Sequence, residues 1–342
     1  MKKSVCFILI LCLTLAYIYA GGGRDKGVTG KIVIYTSMYA EAVESVQREL
    51  RKQFPKCEIE FISRGTGIIQ GLVAAEHASG RLGCDILMVA EPSYSIELKE
   101  KGLLHSFISS EAPNLAFYYD PDGFWYPVRV SVMAMAYNPE IYSPDTLPQS
   151  FHNFAYDTGV QGAISMRNPL VSGTTMATVA ALRDKYGYEY FDSLGRQGVM
   201  IDYGSAESLR KLESGECKVV MILEESILNK RQKENSGLEV IYPSDGAVVI
   251  PSSIMIVNNN WNASRNIHAA EAIVNWFLGQ AGQNAIVDGW MHSVRTDFDR
   301  LPYDARPTFE IIAGSLPVNW EQIYRQRKEI QNNFEDRVSS KR

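Results

Sequence analysis

Two long extended runs constrain this chain more than any other feature. Residues 125–137 (Trp-Tyr-Pro-Val-Arg-Val-Ser-Val-Met-Ala-Met-Ala-Tyr) and 248–257 (Val-Val-Ile-Pro-Ser-Ser-Ile-Met-Ile-Val) interleave small and apolar side chains. Strands of globular proteins usually run about 5–6 residues, so each run is long enough to serve two parts of a molecule. The first follows an α/β block. Residues 31–36 and 58–62 read as strands, with 85–89 as a third. Between the first two, Ala42, Val43, Val46, Leu50 and Phe54 share one helix face, and Pro55 ends that helix. Residues 65–67 read as a turn and 68–78 as a second helix. A second block follows, with strands at 163–166, 199–203 and 219–223 and helices at 174–186 and 207–213; further helices are expected at 268–279 and 318–334. Strand–helix alternation builds a mostly parallel sheet covered by helices. At 342 residues the chain has room for about two domains. The expected architecture is therefore α/β with two lobes, and the chain crosses between them along two hinge strands. The expected partition is 30–130 with about 250–300 in lobe 1, and 131–249 with about 301–342 in lobe 2.

Residues 1–20 read as a secretory signal peptide. Lys2 and Lys3 precede an apolar run over 4–19, and Ala20 with Gly21, Gly22 and Gly23 supplies small residues for cleavage. Ile18 is bulky for its place in such a site, so an uncleaved anchor is the alternative. Either way the protein is expected outside the cytoplasm, periplasmic or extracytoplasmic. No later segment is apolar enough to span a bilayer, and the exported part is expected to be soluble. Cys57, Cys84 and Cys217 follow the leader without C-x-x-C spacing. One disulfide is compatible with them, a stapled framework is not, and Cys84 reads as a buried thiol. With 34 Lys+Arg against 39 Asp+Glu, the net charge is −5. An acidic chain without a basic run is not expected to bind nucleic acid, which requires phosphate neutralisation. No P-loop, G-x-S-x-G or H-E-x-x-H is present, and His77, His105, His152, His268 and His292 form no metal spacing. No catalytic residue, metal ligand or cofactor is assigned.

The residues with ligand-binding chemistry sit at predicted strand ends, where ligands of open α/β sheets bind. The sharpest segment is Asn168-Pro169-Leu170-Val171-Ser172-Gly173-Thr174-Thr175, which follows a strand and opens a helix. Free N–H groups at a helix start, with hydroxyls from Ser172, Thr174 and Thr175, suit a phosphate, sulfate or carboxylate; simple capping by Ser or Thr is the competing reading. Ser37 ends the first strand. Arg64-Gly65-Thr66 ends the second and offers a cation for bidentate anion recognition. Glu91 ends the third. Tyr203-Gly204-Ser205 and Glu224-Glu225 end strands of the second block, the carboxylates being placed to accept from sugar hydroxyls.

The ordered set of these segments resembles the extracytoplasmic solute-binding proteins of ABC importers. Within them it is similar to the ferric-iron-binding branch and its relatives that bind hexose phosphates, phosphonates or thiamine. The resemblance covers about residues 30–330 and rests on Ile-Val-Ile-Tyr-Thr-Ser, Arg-Gly-Thr-Gly, Asp85-Ile86-Leu87-Met88, the 126–138 run, Asn168-Pro169 with Ser172-Gly173-Thr174, and 248–252. It implies a type II periplasmic-binding-protein clamp that closes on a small molecule. It also implies delivery of that molecule to permease subunits in the membrane, a monomeric protein, and no chemistry on the ligand. Ferric binders of this type use an adjacent tyrosine pair just beyond the segment matching 219–223. Here that place holds Glu224-Glu225-Ser226-Ile227, and the only adjacent tyrosines are Tyr118-Tyr119. Met38-Tyr39 also stands where iron binders often carry His. The ligand expected is therefore a small phosphorylated anion such as a hexose phosphate. Ferric iron is the alternative, through Glu91, Glu224, Glu225, Tyr39 and Tyr203 as hard oxygen donors. A secreted enzyme is a further alternative.

Overall fold

The computed structural model describes residues 27–339, so the leader at 1–20 lies outside the described residues. Among the described residues there are ten strands: β1 (Gly30–Thr36), β2 (Cys57–Ser63), β3 (Ile86–Ala90), β4 (Leu104–His105), β5 (Tyr126–Tyr137), β6 (Ile164–Arg167), β7 (Met200–Asp202), β8 (Val219–Leu223), β9 (Glu239–Ile241) and β10 (Val248–Val257). They run in the order β2-β1-β3-β10-β5-β8-β6-β7, with β4 on β10 and β9 on β5. At one end β1 lies parallel to β2 and β3; at the other β6 lies parallel to β7 and β8. The two long strands stand between these groups and pair antiparallel with each other. β10 joins β3 from Ser252 onward, while β5 joins β8 from Met133 onward. Each long strand thus begins in one lobe and ends in the other. This is the two-lobe α/β clamp with two hinge strands.

The crossing itself is a weak point in the ladder. Pro127 and Pro251 lie within the paired segment, and the register shifts between Ser252 and Ser253. A proline cannot donate to a ladder and is tolerated in a sheet chiefly at edges and bulges. The centre of the sheet therefore has fewer bonds to oppose a change of angle between the lobes, the requirement for hinge closure.

Helices cover both faces. In lobe 1 one core packs Ala42, Val46, Leu50 and Phe54, of helix Ala40–Gln53 and its C-cap, against Ile32, Ile34, Ile86 and Met88. The opposite sheet face packs Val33, Leu87 and Val89 against Ile69, Val73 and Tyr94. In lobe 2 the strands pack Met166, Met221 and Leu223 against Met176, Ala180, Tyr190 and Phe191. The C-terminal helix Trp320–Ser339 adds Ile323, Ile330 and Phe334 to that core and also contacts helix Ser93–Glu100 of lobe 1. Cys57, Cys84 and Cys217 are all buried free thiols. Among the described residues no helix is long and apolar enough to cross a membrane.

Local boundaries differ from the sequence reading in two places that matter for the site. Thr66 and Gly67 are not a turn but the first residues of helix Thr66–Ala78. Glu224 and Glu225 are not a loop but the first turn of helix Glu224–Glu234. Both helices start at or just beyond the carboxyl end of a strand, which brings Thr66 and Glu225 to the space between lobes.

Candidate functional site

The lobes are closed onto each other. Tyr39, which precedes helix Ala40–Gln53, places its hydroxyl 3.0 Å from Ser205 Oγ and accepts from Ser226 Oγ at 3.1 Å, so one lobe 1 residue reaches two lobe 2 residues. The Gly67 N–H donates to the Val171 carbonyl at 3.3 Å. That approach needs glycine. A Cβ on Gly65 would lie 2.6 Å from the Val171 carbonyl oxygen, and one on Gly67 would lie 2.1 Å from the Leu170 carbonyl oxygen.

A cleft is enclosed behind this contact. Its inner end is a pocket of about 30 Å³ lined by Ser37, Thr66, Arg129, Ser131, Arg167, Ser172, Gly173, Thr174 and Glu225. It adjoins a chamber of about 570 Å³, whose walls include Ser37, Tyr39, Arg64, Gly65, Arg167, Gly204, Ser205 and Arg210.

Arg129 organises the inner end. It projects from hinge strand β5 and is buried. Its guanidinium donates to Ser37 Oγ at 3.1 Å and to Ser131 Oγ at 3.4 Å, while its Nε has no partner among the described residues. Burial lowers its pKa to about 10, with the Glu225 charge opposing, so it stays charged at neutral pH. Ser131 Oγ donates to Glu225 Oε1 at 2.8 Å. Burial pushes Glu225 up to about 7, against the Ser131 hydrogen bond and the Arg129 charge. Opposite them Arg167 closes β6, and its Nε is likewise buried without a partner among the described residues. A buried donor without an acceptor costs about 1–3 kcal/mol, more when charged. Both arginines line one pocket, and each keeps a buried donor without an acceptor, which favours an occupant that carries negative charge.

The Ser172 segment supports the same chemistry. Ser172 is the N-cap of helix Gly173–Tyr186, and its Oγ accepts from the Thr175 N–H at 3.2 Å. Thr175 Oγ1 donates to the same oxygen at 2.9 Å, and Thr174 Oγ1 lies 3.0 Å from it. Capping and anion recognition are therefore not exclusive here. The Ser172 oxygen satisfies one N–H, while Gly173 and Thr174, at the positive end of the helix dipole, have no intrahelical acceptor and line the pocket.

Of the residues singled out in the sequence, the structure brings Ser37, Arg64, Gly65, Thr66, Ser172, Gly173, Thr174, Gly204, Ser205 and Glu225 to the cleft walls. Four are placed elsewhere. Glu91 takes a left-handed backbone (φ 68°) that turns its carboxylate away to Arg327 of the C-terminal helix, at 2.5 Å, with Ser93 as a second partner. Burial raises its pKa, opposed by the Arg327 charge. Glu224 points behind the hinge, where it meets His292 Nε2 at 2.7 Å and the Tyr242 hydroxyl. Thr175 is buried beneath Ser172. Tyr203 is 68% exposed and stands outside the cleft lining. The sequence reading passed over Arg129, Arg167 and Ser131. The signal was present: Arg129 is the lone charge in the 125–137 run, and Arg167 immediately precedes Asn168-Pro169. Among the described residues no group of three or more His, Cys, Asp or Glu is arranged to hold a metal ion.

Comparison with solved structures places this geometry in a known architecture. The iron-bound HitA of Pseudomonas aeruginosa superposes with a TM-score of 0.76 at 17% identity, over 89% of this chain and 99% of that one. AfuA of Actinobacillus pleuropneumoniae, solved with fructose-6-phosphate bound, gives 0.77 at 19%, over 91% and 99%. The substrate-binding protein of an ABC transporter from Agrobacterium tumefaciens gives 0.76 at 14%, over 92% and 96%. At such identities the likeness concerns the fold. A search of the curated proteins finds no match. The family model described as bacterial extracellular solute-binding protein matches residues 84–324, which takes in both hinge strands and most of the cleft. The chain belongs to the bacterial extracellular solute-binding protein family.

Proposed function

We propose that this solute-binding protein captures a small phosphorylated metabolite, of the size of a hexose phosphate, between its lobes and delivers it to the permease of an ABC importer. The observation that carries the anion is the pair of buried, acceptorless Nε atoms of Arg129 and Arg167, beside the Gly173–Thr174 helix start. A phosphate brings three acceptor oxygens and about −1.5 to −2 charges at neutral pH. Glu225 and the Tyr39, Ser205 and Ser226 hydroxyls are available to the polar remainder of the ligand. The hexose-phosphate complex of AfuA and the transporter assignment of the Agrobacterium protein, both of the same fold, support the reading. Two guanidinium groups at the inner end do not suit a bare ferric ion, which favours anionic oxygen donors. Export with cleavage near Gly21, and action as a monomer that binds without turnover, belong to the same proposal.

Calorimetry with fructose 6-phosphate and with fructose tests the reading. The phosphate ester is expected to bind at least about a hundredfold tighter, since charge-assisted hydrogen bonds contribute about 1.5–3 kcal/mol each. Arg167→Gln, which does not touch the hinge, is expected to cost about tenfold or more in affinity for the ester. Equal affinity for ester and sugar overturns the anion role. An intense visible band on ferric loading, lost on Tyr39→Phe, would favour iron instead.

A further inference from the structure

The outer chamber holds more positive charge than one phosphate requires. Arg64 enters from the end of β2, Arg167 from the end of β6, and Arg210 from helix Ser205–Ser214, so both lobes contribute. The Arg64 guanidinium donates to the Ser63 carbonyl at 2.6 Å and meets no carboxylate among the described residues. Arg167 and Arg210 have neither an ion pair nor a side-chain hydrogen bond among the described residues, and Arg210 acts on Glu207 of its own helix only through its charge. The contrast with the rest of the molecule is informative. Lys230 lines the same chamber but is held by Glu213 at 2.8 Å and Glu234 at 2.7 Å. Elsewhere Arg183, Arg231, Arg295, Arg300, Arg327 and Arg337 each reach a carboxylate. Arg81, Arg196 and Arg306 also reach no carboxylate among the described residues, but they stand singly on the surface against a carbonyl, a serine and a tyrosine ring, whereas Arg64, Arg167 and Arg210 share one cavity. Of the acidic wall residues, Glu213 and Glu234 are already committed to Lys230, which leaves Glu41 against three guanidinium groups.

Like charges gathered around one cleft repel until a counter-charge enters. A single phosphate at the inner end meets Arg129, Arg167 and the helix start. It does not meet Arg64 and Arg210, which sit at the chamber wall and are absent from the inner pocket. The chamber, at about 570 Å³, has room for a ligand body between the two ends. We infer that the ligand carries two anionic groups, one seated against Arg129, Arg167 and the Gly173–Thr174 helix start, the other held in the outer chamber by Arg64 and Arg210. This rests on the anion-capture reading above and narrows it to bisphosphates and phosphorylated carboxylates.

Calorimetry at fixed ionic strength with two probe pairs tests the inference. The pairs are fructose 1,6-bisphosphate against fructose 6-phosphate, and 3-phosphoglycerate against glycerol 3-phosphate. In at least one pair the two-anion member is expected to bind about tenfold tighter or more, the scale of one charge-assisted contact. The double variant Arg64→Gln, Arg210→Gln is expected to shrink that ratio to about threefold or less, because it costs the two-anion probe more than the one-anion probe. Both side chains are exposed, so the variant is expected to fold. If monophosphates bind as tightly as their two-anion partners, or if the double variant leaves the ratio intact, the inference is overturned while anion capture stands. If neither fructose ester binds but 3-phosphoglycerate is preferred over glycerol 3-phosphate, the sugar-phosphate reading falls and the two-anion inference stands. Failure of all four probes overturns both.

Discussion

Glu225 is the residue whose chemistry depends most on where the chain puts it. On an open surface its carboxyl would titrate near 4.5; buried beside Ser131 and Arg129 it titrates at about 7. The folded protein therefore keeps the proton through a range in which the unfolded chain has already released it. The resulting stabilisation is fully present below about pH 4.5 and is lost as pH rises through about 7, and it amounts to about 3 kcal/mol in all. Urea unfolding of the ligand-free protein at pH 5 and pH 8 checks this. The wild type is expected to lose up to about 3 kcal/mol more over that interval than Glu225→Gln. Identical pH dependence of the two proteins would show that the group is not buried in solution as it is here.

At the scale of elements, the decisive contact is between the start of helix Thr66–Ala78 and the 170–173 segment before helix Gly173–Tyr186. The first helix has glycine at its second position, where alanine would suit an isolated helix better by up to about 1 kcal/mol. The approach to the Leu170 carbonyl explains the glycine, since a methyl at 67 would sit 2.1 Å from that oxygen. Gly67→Ala is thus expected to leave the thermal midpoint unchanged or slightly raised, because each lobe keeps its own core, and to weaken ligand binding about tenfold or more by holding the lobes apart. Scanning fluorimetry and calorimetry on the same sample separate the two effects. Undiminished affinity would mean that binding does not need this contact.

For the whole molecule, closure joins two separately packed cores across a sheet whose centre is weakened at Pro127, Pro251 and the Ser252/Ser253 shift. The lobes touch at the cleft through Tyr39 with Ser205 and Ser226 and the Gly67–Val171 hydrogen bond, and at the back through the C-terminal helix, whose Arg327 reaches Glu91 and Ser93 and whose Tyr324 reaches Glu100. Without a counter-charge, the arginines of the cleft oppose that contact. Small-angle scattering of protein stripped of ligand by unfolding and refolding is expected to show a larger radius of gyration than the same protein saturated with fructose 1,6-bisphosphate. A radius that does not change with ligand would mean that the lobes are held closed by the protein alone.

The strand–helix order, the two hinge strands and the convergence of strand ends were legible in the sequence because they follow from local periodicity and from the geometry of parallel sheets. Ser37, Arg64, Ser172–Thr174 and Gly204–Ser205 reach the cleft for that reason alone. Glu91 and Glu224 also stand at strand ends, yet their directions are set by partners far along the chain: Arg327, 236 residues away, and His292, 68 residues away. Only the packed molecule decides such pairings. The same holds for Arg129 and Arg167. A sequence shows that an arginine is present but not that its Nε is left buried without an acceptor, and here it is that burial, at the cleft between two lobes, that recommends these cations as a binding site.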